Sequence, residues 1–226
     1  TELNEKITAA AQGLSTDAAY YPNPTAVEVG PADAPRLIWP TTTVSDALER
    51  TLVGRRCVIA NAPGETPDHL YVWFPDERLL IPGDNYYHTF PNLYAIRGTK
   101  FRDVLAWVRS LDELIALDAE VMIPCHTQPV VGAAEIRARL TDYRDAIQYV
   151  HDQTVRWMNA GLGPDEIVER VALPPHLASN PWLLEHYGRV DWSVRAIYAG
   201  YLGWFDGDAA TLHPLPKPAR AERTIA

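Results

Sequence analysis

Apolar and polar residues alternate over short runs in the first half of the chain and recur every three or four positions in the second. The pattern predicts a mixed α/β portion followed by helices. RRCVIA (55–60), HLYVWF (69–74), RLLI (78–81) and AEVMI (119–123) are rich in β-formers and bounded by Gly, Pro and Asp, so each reads as a strand. Between the last two, Phe101, Val104, Leu105, Val108 and Leu111 mark an amphipathic helix over about 100–116. Beyond Gly132, the spacing of Ile136, Leu140, Tyr143, Ile147, Val150, Thr154 and Met158 predicts one long helix that ends at the AGLG of 160–163. Shorter helices follow at about 164–171, 175–187 and 190–204. The change of period near PVVGAAE divides the chain into 1–132 and 133–226. Residues 1 to about 40 read mostly as proline-rich loop with a strand at Arg36–Trp39, and the final HPLPKPARAERTIA reads as a linker.

The runs at 69–74 and 78–81 are too close in sequence for a crossover, so they pair as an antiparallel hairpin through Pro75, Asp76, Glu77 and Arg78. The helix after them can return the chain for a parallel strand at 119–123. Glu65 in NAPGETPD, Asp84 in IPGD and His126 in IPCHTQPV then meet at one edge of the sheet. All three side chains can ligate a metal, and strand ends hold ligands rigidly. Each also has an ordinary reading: a solvated loop glutamate, a turn aspartate, a hydrogen-bonded structural histidine.

Composition removes whole classes of function. In 226 residues, 47% hydrophobic content with Trp 7 and Tyr 11 supplies a core and excludes disorder. A formal charge of −9 without a long Lys/Arg run argues against nucleic acid as a partner. No stretch is apolar for long enough to span a membrane, and TELNEKITAAAQG lacks the pattern of a signal peptide. Cys57 and Cys125 do not make a disulfide framework.

The run APGETPDHLYVWFPDERLLIPGD resembles the second half of the metallo-β-lactamase fold. There a Pro-Gly loop presents a metal ligand, and a strand ends in Gly-Asp with the Asp bridging two metals. More narrowly, DNYYHTFPNLYAIRGTKFRDVLAWVRSLDEL, IPCHTQPVVG, YVHDQTVRWMNAGLGPDEI and VRAIYAGYLGWFDG are similar to the alkyl sulfatase branch, over about 55–215. The resemblance implies the C-terminal half of an αββα sandwich at 1–132 and an incomplete helical dimerisation domain at 133–226. It implies two zinc ions, with Glu65 a ligand of one, His126 of the other, and Asp84 the bridging carboxylate at the catalytic centre. Asn92 and Arg97 match the positions that hold the sulfate group. Tyr94, with Tyr86 and Tyr87, would line a channel for an alkyl tail.

The chain departs from that family in two ways. The sulfatase branch usually has Glu where this chain has Asp84, which opens the substrate class to esters, lactones or biosynthetic intermediates. The family's H-x-H-x-D-H motif is absent among His69, His88, His126, His151, His176, His186 and His213. An N-terminal segment or partner chain is therefore expected to supply those ligands, and the helical part to form a homo-oligomer. The expected function is a dinuclear zinc hydrolase of an alkyl sulfate or similar anion; a non-catalytic subunit is the reading from a different class. His151 and the aromatics Trp157, Trp192, Tyr198, Tyr201, Trp204 and Phe205 read as core or interface.

Overall fold

The structure is a computed structural model and describes residues 40–94 and 101–225. The strand expected at Arg36–Trp39 and the residue Arg97 lie outside the described residues. A six-stranded sheet is formed by β1 (Ala47–Leu52), β2 (Arg55–Asn61), β3 (Leu70–Phe74), β4 (Leu79–Ile81), β5 (Val121–Met122) and β6 (Val130–Val131), in that spatial order. The β3–β4 hairpin is antiparallel with Val72 opposite Ile81, and β5 runs parallel to β4 with Leu79 opposite Val121. Those two pairings are the geometry inferred from the sequence.

Helix α1 (Val104–Ala116) makes the crossover between β4 and β5. It starts where the Asp103 side chain accepts from the Ala106 N–H at 2.9 Å, an N-cap. The long α2 (Ala133–Asn159) follows Gly132. Trp107, Leu111 and Leu114 of α1, Leu80 and Met122 of the sheet, and Ile136, Leu140, Tyr143, Ile147 and Val150 of α2 pack into one core. The same core continues into Val194 and Ile197 of a later helix. It lies on the sheet face that carries Ala60, Tyr71 and Leu80; Ile59, Val72, Phe74, Leu79 and Ile81 of the other face are half-buried and lie outside it.

Strands β1 and β6 go beyond the sequence expectation. ALERTL is, apart from Thr51, a run of good helix formers and becomes a strand through its pairing with β2, across a turn in which Val53 and Gly54 both have positive φ (50° and 78°). The helix expected over 175–187 shrinks, and after α3 (Pro164–Val168) only α4 (Pro175–Ala178) forms. Asn180 ends it: its Oδ1 accepts from Trp182 N at 2.9 Å and its Nδ2 donates to Asp142 at 2.6 Å, and Pro181 cannot continue a helix. Helix α5 (Val190–Leu202) matches expectation, whereas the expected terminal linker holds α6 (Ala209–Leu212) and α7 (Lys217–Ile225).

Candidate active site

Strands β2 and β4 deliver two loops to the same sheet edge. Ala62, Pro63, Gly64 and Glu65 leave β2 in a tight loop in which Ala62 N–H donates to His69 O at 2.8 Å and Gly64 N–H to Thr66 O at 3.0 Å. Pro82 leaves β4 and enters a short 3-10 turn, Gly83–Asn85. His69 donates from Nε2 to the Pro82 carbonyl at 3.1 Å, which makes it a strut between the loops and fixes its tautomer. Position 83 must be glycine here, since it has φ +61° and a Cβ would stand 2.4 Å from His69 Nε2.

Asp84 and His126 meet. His126 Nε2 is 3.3 Å from Asp84 Oδ1, an oxygen that is buried yet accepts no hydrogen bond. Neighbouring Cys125 feels the same carboxylate: burial, then the Asp84 charge, pushes its thiol above the ordinary range.

Glu65 joins this pair only through its field. Its Oε1 accepts from the Arg102 guanidinium at 2.8 Å, with both side chains about nine-tenths buried. Burial pushes the Glu65 carboxyl up; the Arg102 charge opposes this, and the Asp84 charge adds to it. Among the described residues no three His, Cys, Asp or Glu side chains stand close enough to hold a metal. The expected three-way convergence is thus an Asp84–His126 contact with Glu65 drawn onto Arg102, because a buried carboxylate needs a cation or donors.

Arg102 and Asn85 are site residues that the sequence reading missed. Arg102 is 8% exposed and also donates to the Asn92 carbonyl, so it joins the Glu65 loop to the segment expected to bind an anion. Its only signal in sequence is a place in the KFRD string just ahead of α1.

Asn92 is buried, and its N–H donates to the Tyr87 hydroxyl at 2.7 Å. Its Oδ1 accepts from Tyr94 N at 3.4 Å, which leaves the amide nitrogen as the end able to donate to an anion. Tyr94 packs edge-on against Trp192 with centroids 5.2 Å apart, and burial pushes its hydroxyl up to about 12. Tyr86 and Tyr87 do not line a channel as expected: both are buried and pack against Tyr143, tilted and edge-on, with centroids 5.1 and 6.0 Å away. Their rings are large enough that packing against α2 outweighs exposure to a tail-binding cavity.

The helical part closes over this segment. Phe90 N–H donates to Leu184 O at 3.0 Å and Gly188 N–H to Phe90 O at 3.1 Å. The ring of Phe101 lies against Gly200 of α5, where a Cβ would stand 2.2 Å from it, and its centroid is 6.2 Å from that of Tyr201. His151 is buried and acts as a strut: its Nδ1 bonds Asp152 and its Nε2 bonds the Tyr201 hydroxyl, each at 2.8 Å. His88, Arg139 and Trp182 form a stack, with the Arg139 guanidinium 3.6 Å from the indole centroid and the His88 ring 4.8 Å from it.

A family model described as metallo-beta-lactamase superfamily matches residues 8–126, and one described as alkyl sulfatase dimerisation matches 163–226. Over 195 residues the chain is 51% identical to a linear primary-alkylsulfatase of Pseudomonas sp., a match that spans 85% of this chain and 37% of that protein. It is 34% identical over 194 residues to the alkyl/aryl-sulfatase BDS1 of Saccharomyces cerevisiae, spanning 84% of this chain and 30% of that one. Among solved structures it is similar to the stereoselective inverting sec-alkylsulfatase Pisa1 from Pseudomonas sp., with TM-score 0.78 and 29% identity, over 84% of this chain and 31% of that one.

Proposed function

Because this chain belongs to the metallo-beta-lactamase superfamily and carries an alkyl sulfatase dimerisation domain, we propose that it is part of a zinc-dependent sulfuric ester hydrolase acting on an alkyl sulfate. The observation that carries this reading is the Asp84–His126 contact at 3.3 Å. Asp84 Oδ1 is a buried acceptor without a donor, and it faces an imidazole nitrogen. Carboxylate oxygen and imidazole nitrogen are both atoms that zinc takes, so this pair has the donor chemistry of zinc ligands. In this reading Asp84 and His126 are ligands, and Glu65, whose Oε1 is held by Arg102, has Oε2 to offer. Zinc, when bound, supplies a water made acidic enough to act as a nucleophile near neutral pH.

The chain's own residues orient the ester. Arg97 offers a planar fork of donors to the sulfate oxygens, and the Asn92 amide nitrogen adds a further donor. Tyr94 contributes an apolar ring beside Trp192 with its hydroxyl kept neutral, so it repels no anion. The two-zinc count, the division at 132/133 and the supply of an H-x-H-x-D-H segment by polypeptide outside this chain belong to the same proposal. The last of these is supported by the chain spanning 37% of the linear primary-alkylsulfatase it resembles. Pairing of two copies through 163–226 also belongs to it, supported by the family model over those residues.

The test is sulfate release from a long-chain alkyl sulfate by the full-length protein, with metal content measured in parallel. We expect release that a chelator abolishes and zinc restores, and a raised KM in Asn92→Ala. Zinc-replete protein that releases no sulfate points instead to an ester or lactone hydrolase, a reading that the Asp84 position favours. Less than about one zinc per chain points to a non-catalytic subunit.

A further inference from the structure

Asn85 is wholly buried, and its polar groups are directed at the loops and helix around the candidate site. Its Nδ2 donates to the Ala62 carbonyl at 2.7 Å, and its Oδ1 accepts from the Glu65 N–H at 3.3 Å. Its own carbonyl accepts from Trp107 Nε1 at 3.1 Å, and its N–H donates to Pro82 O at 3.4 Å. One side chain is thus bonded to the backbone of Glu65 while its backbone is joined covalently to Asp84. Gly64 makes this possible. A Cβ there would stand 2.1 Å from Asn85 Oδ1 and 2.9 Å from Trp107 Cδ1, so glycine is required for space.

We propose that Asn85 is a positioning residue that sets the distance and orientation between Glu65 and Asp84, with Gly64 as its seat. The inference rests on the reading of those two acids as zinc ligands. Two separate loops deliver them, and a ligand set needs placement to within about 0.5 Å. Hydrogen bonds inside each loop cannot fix the offset between loops. The His69–Pro82 bond ties their outer ends; Asn85 ties them beside the acids. An amide is the group for this task, since one end must donate to Ala62 O and the other accept from Glu65 N–H. Aspartate would keep the second bond and set oxygen against oxygen in the first.

The test compares Asn85→Asp and Gly64→Ala with Glu65→Gln in the full-length protein. Cobalt(II) replaces zinc and its d–d absorption reports ligand geometry, while competition with a chromophoric chelator gives zinc affinity. In both variants we expect unchanged far-UV circular dichroism, an altered cobalt spectrum and zinc affinity weakened about 10–100-fold. A wild-type spectrum and affinity in these folded variants, with metal binding lost in Glu65→Gln, overturns the positioning role alone. A wild-type spectrum in Glu65→Gln overturns the ligand reading, and the positioning role falls with it. If Asn85→Asp does not fold, Trp107→Phe removes the donor to the Asn85 carbonyl and keeps a smaller ring in the core. Its cobalt spectrum should shift in the same direction, and an unchanged spectrum overturns the proposal.

Discussion

Arg102 shows how one side chain decides the electrostatics of the site. Glu65 and the Asn92 carbonyl pair the two terminal nitrogens of this deeply buried guanidinium, while its Nε is buried without a hydrogen-bond partner among the described residues, and Arg102 in turn balances the charge of Glu65. Removing the cation leaves a carboxylate that is 11% exposed with Asp84 as its electrostatic neighbour. Arg102→Met should therefore lower the unfolding free energy by about 3–5 kcal/mol, read from urea denaturation, whereas Arg102→Met combined with Glu65→Leu should recover most of that loss. Asp84 and His126 were legible in the sequence because Gly and Pro mark the strand ends that present them. Arg102 was not: a buried ion pair that joins residues 37 apart leaves no local spacing to read.

Among the elements, the strands were legible as short runs of β-formers bounded by Gly, Pro and Asp, and the long α2 stripe because burial of one face imposes its period. β1 was not, since the propensity of ALERTL points to helix and only pairing with β2 makes it a strand. A helix was expected over 175–187, but Asn180 and Pro181 end it after Ala178. Loop 86–94, α2 and the turn after α4 are joined by the His88, Arg139 and Trp182 stack. Burial, then the Arg139 charge, holds the His88 imidazole below its ordinary range. A histidine with a depressed folded pKa leaves the unfolded chain binding more protons, so its contribution is full above the unfolded pKa, about 6.5, and is lost as pH falls through the folded value. The urea midpoint should fall between about pH 7 and about pH 5, and His88→Phe should flatten that slope.

At the scale of the molecule, the described part is one sheet with helices on one face, and apolar side chains such as Ile59, Val72 and Ile81 remain half-buried on the other. The YLGWF run also leaves Tyr201, Leu202 and Trp204 52%, 58% and 73% exposed, a concentration of apolar surface suited to a second copy. Leu202→Asp with Trp204→Asp should halve the mass of the full-length protein by light scattering and leave its zinc content unchanged.

The close seat of Phe101 on Gly200 has a thermodynamic consequence. The same helix holds Tyr201, which His151 grips from α2, and then runs into the exposed apolar stretch. A change on α5 that shifts the exposed stretch is therefore felt both at Phe101 and at His151 of α2. By reciprocity, whatever free energy covering the exposed stretch adds to the seat of Phe101, filling that seat must add to the covering.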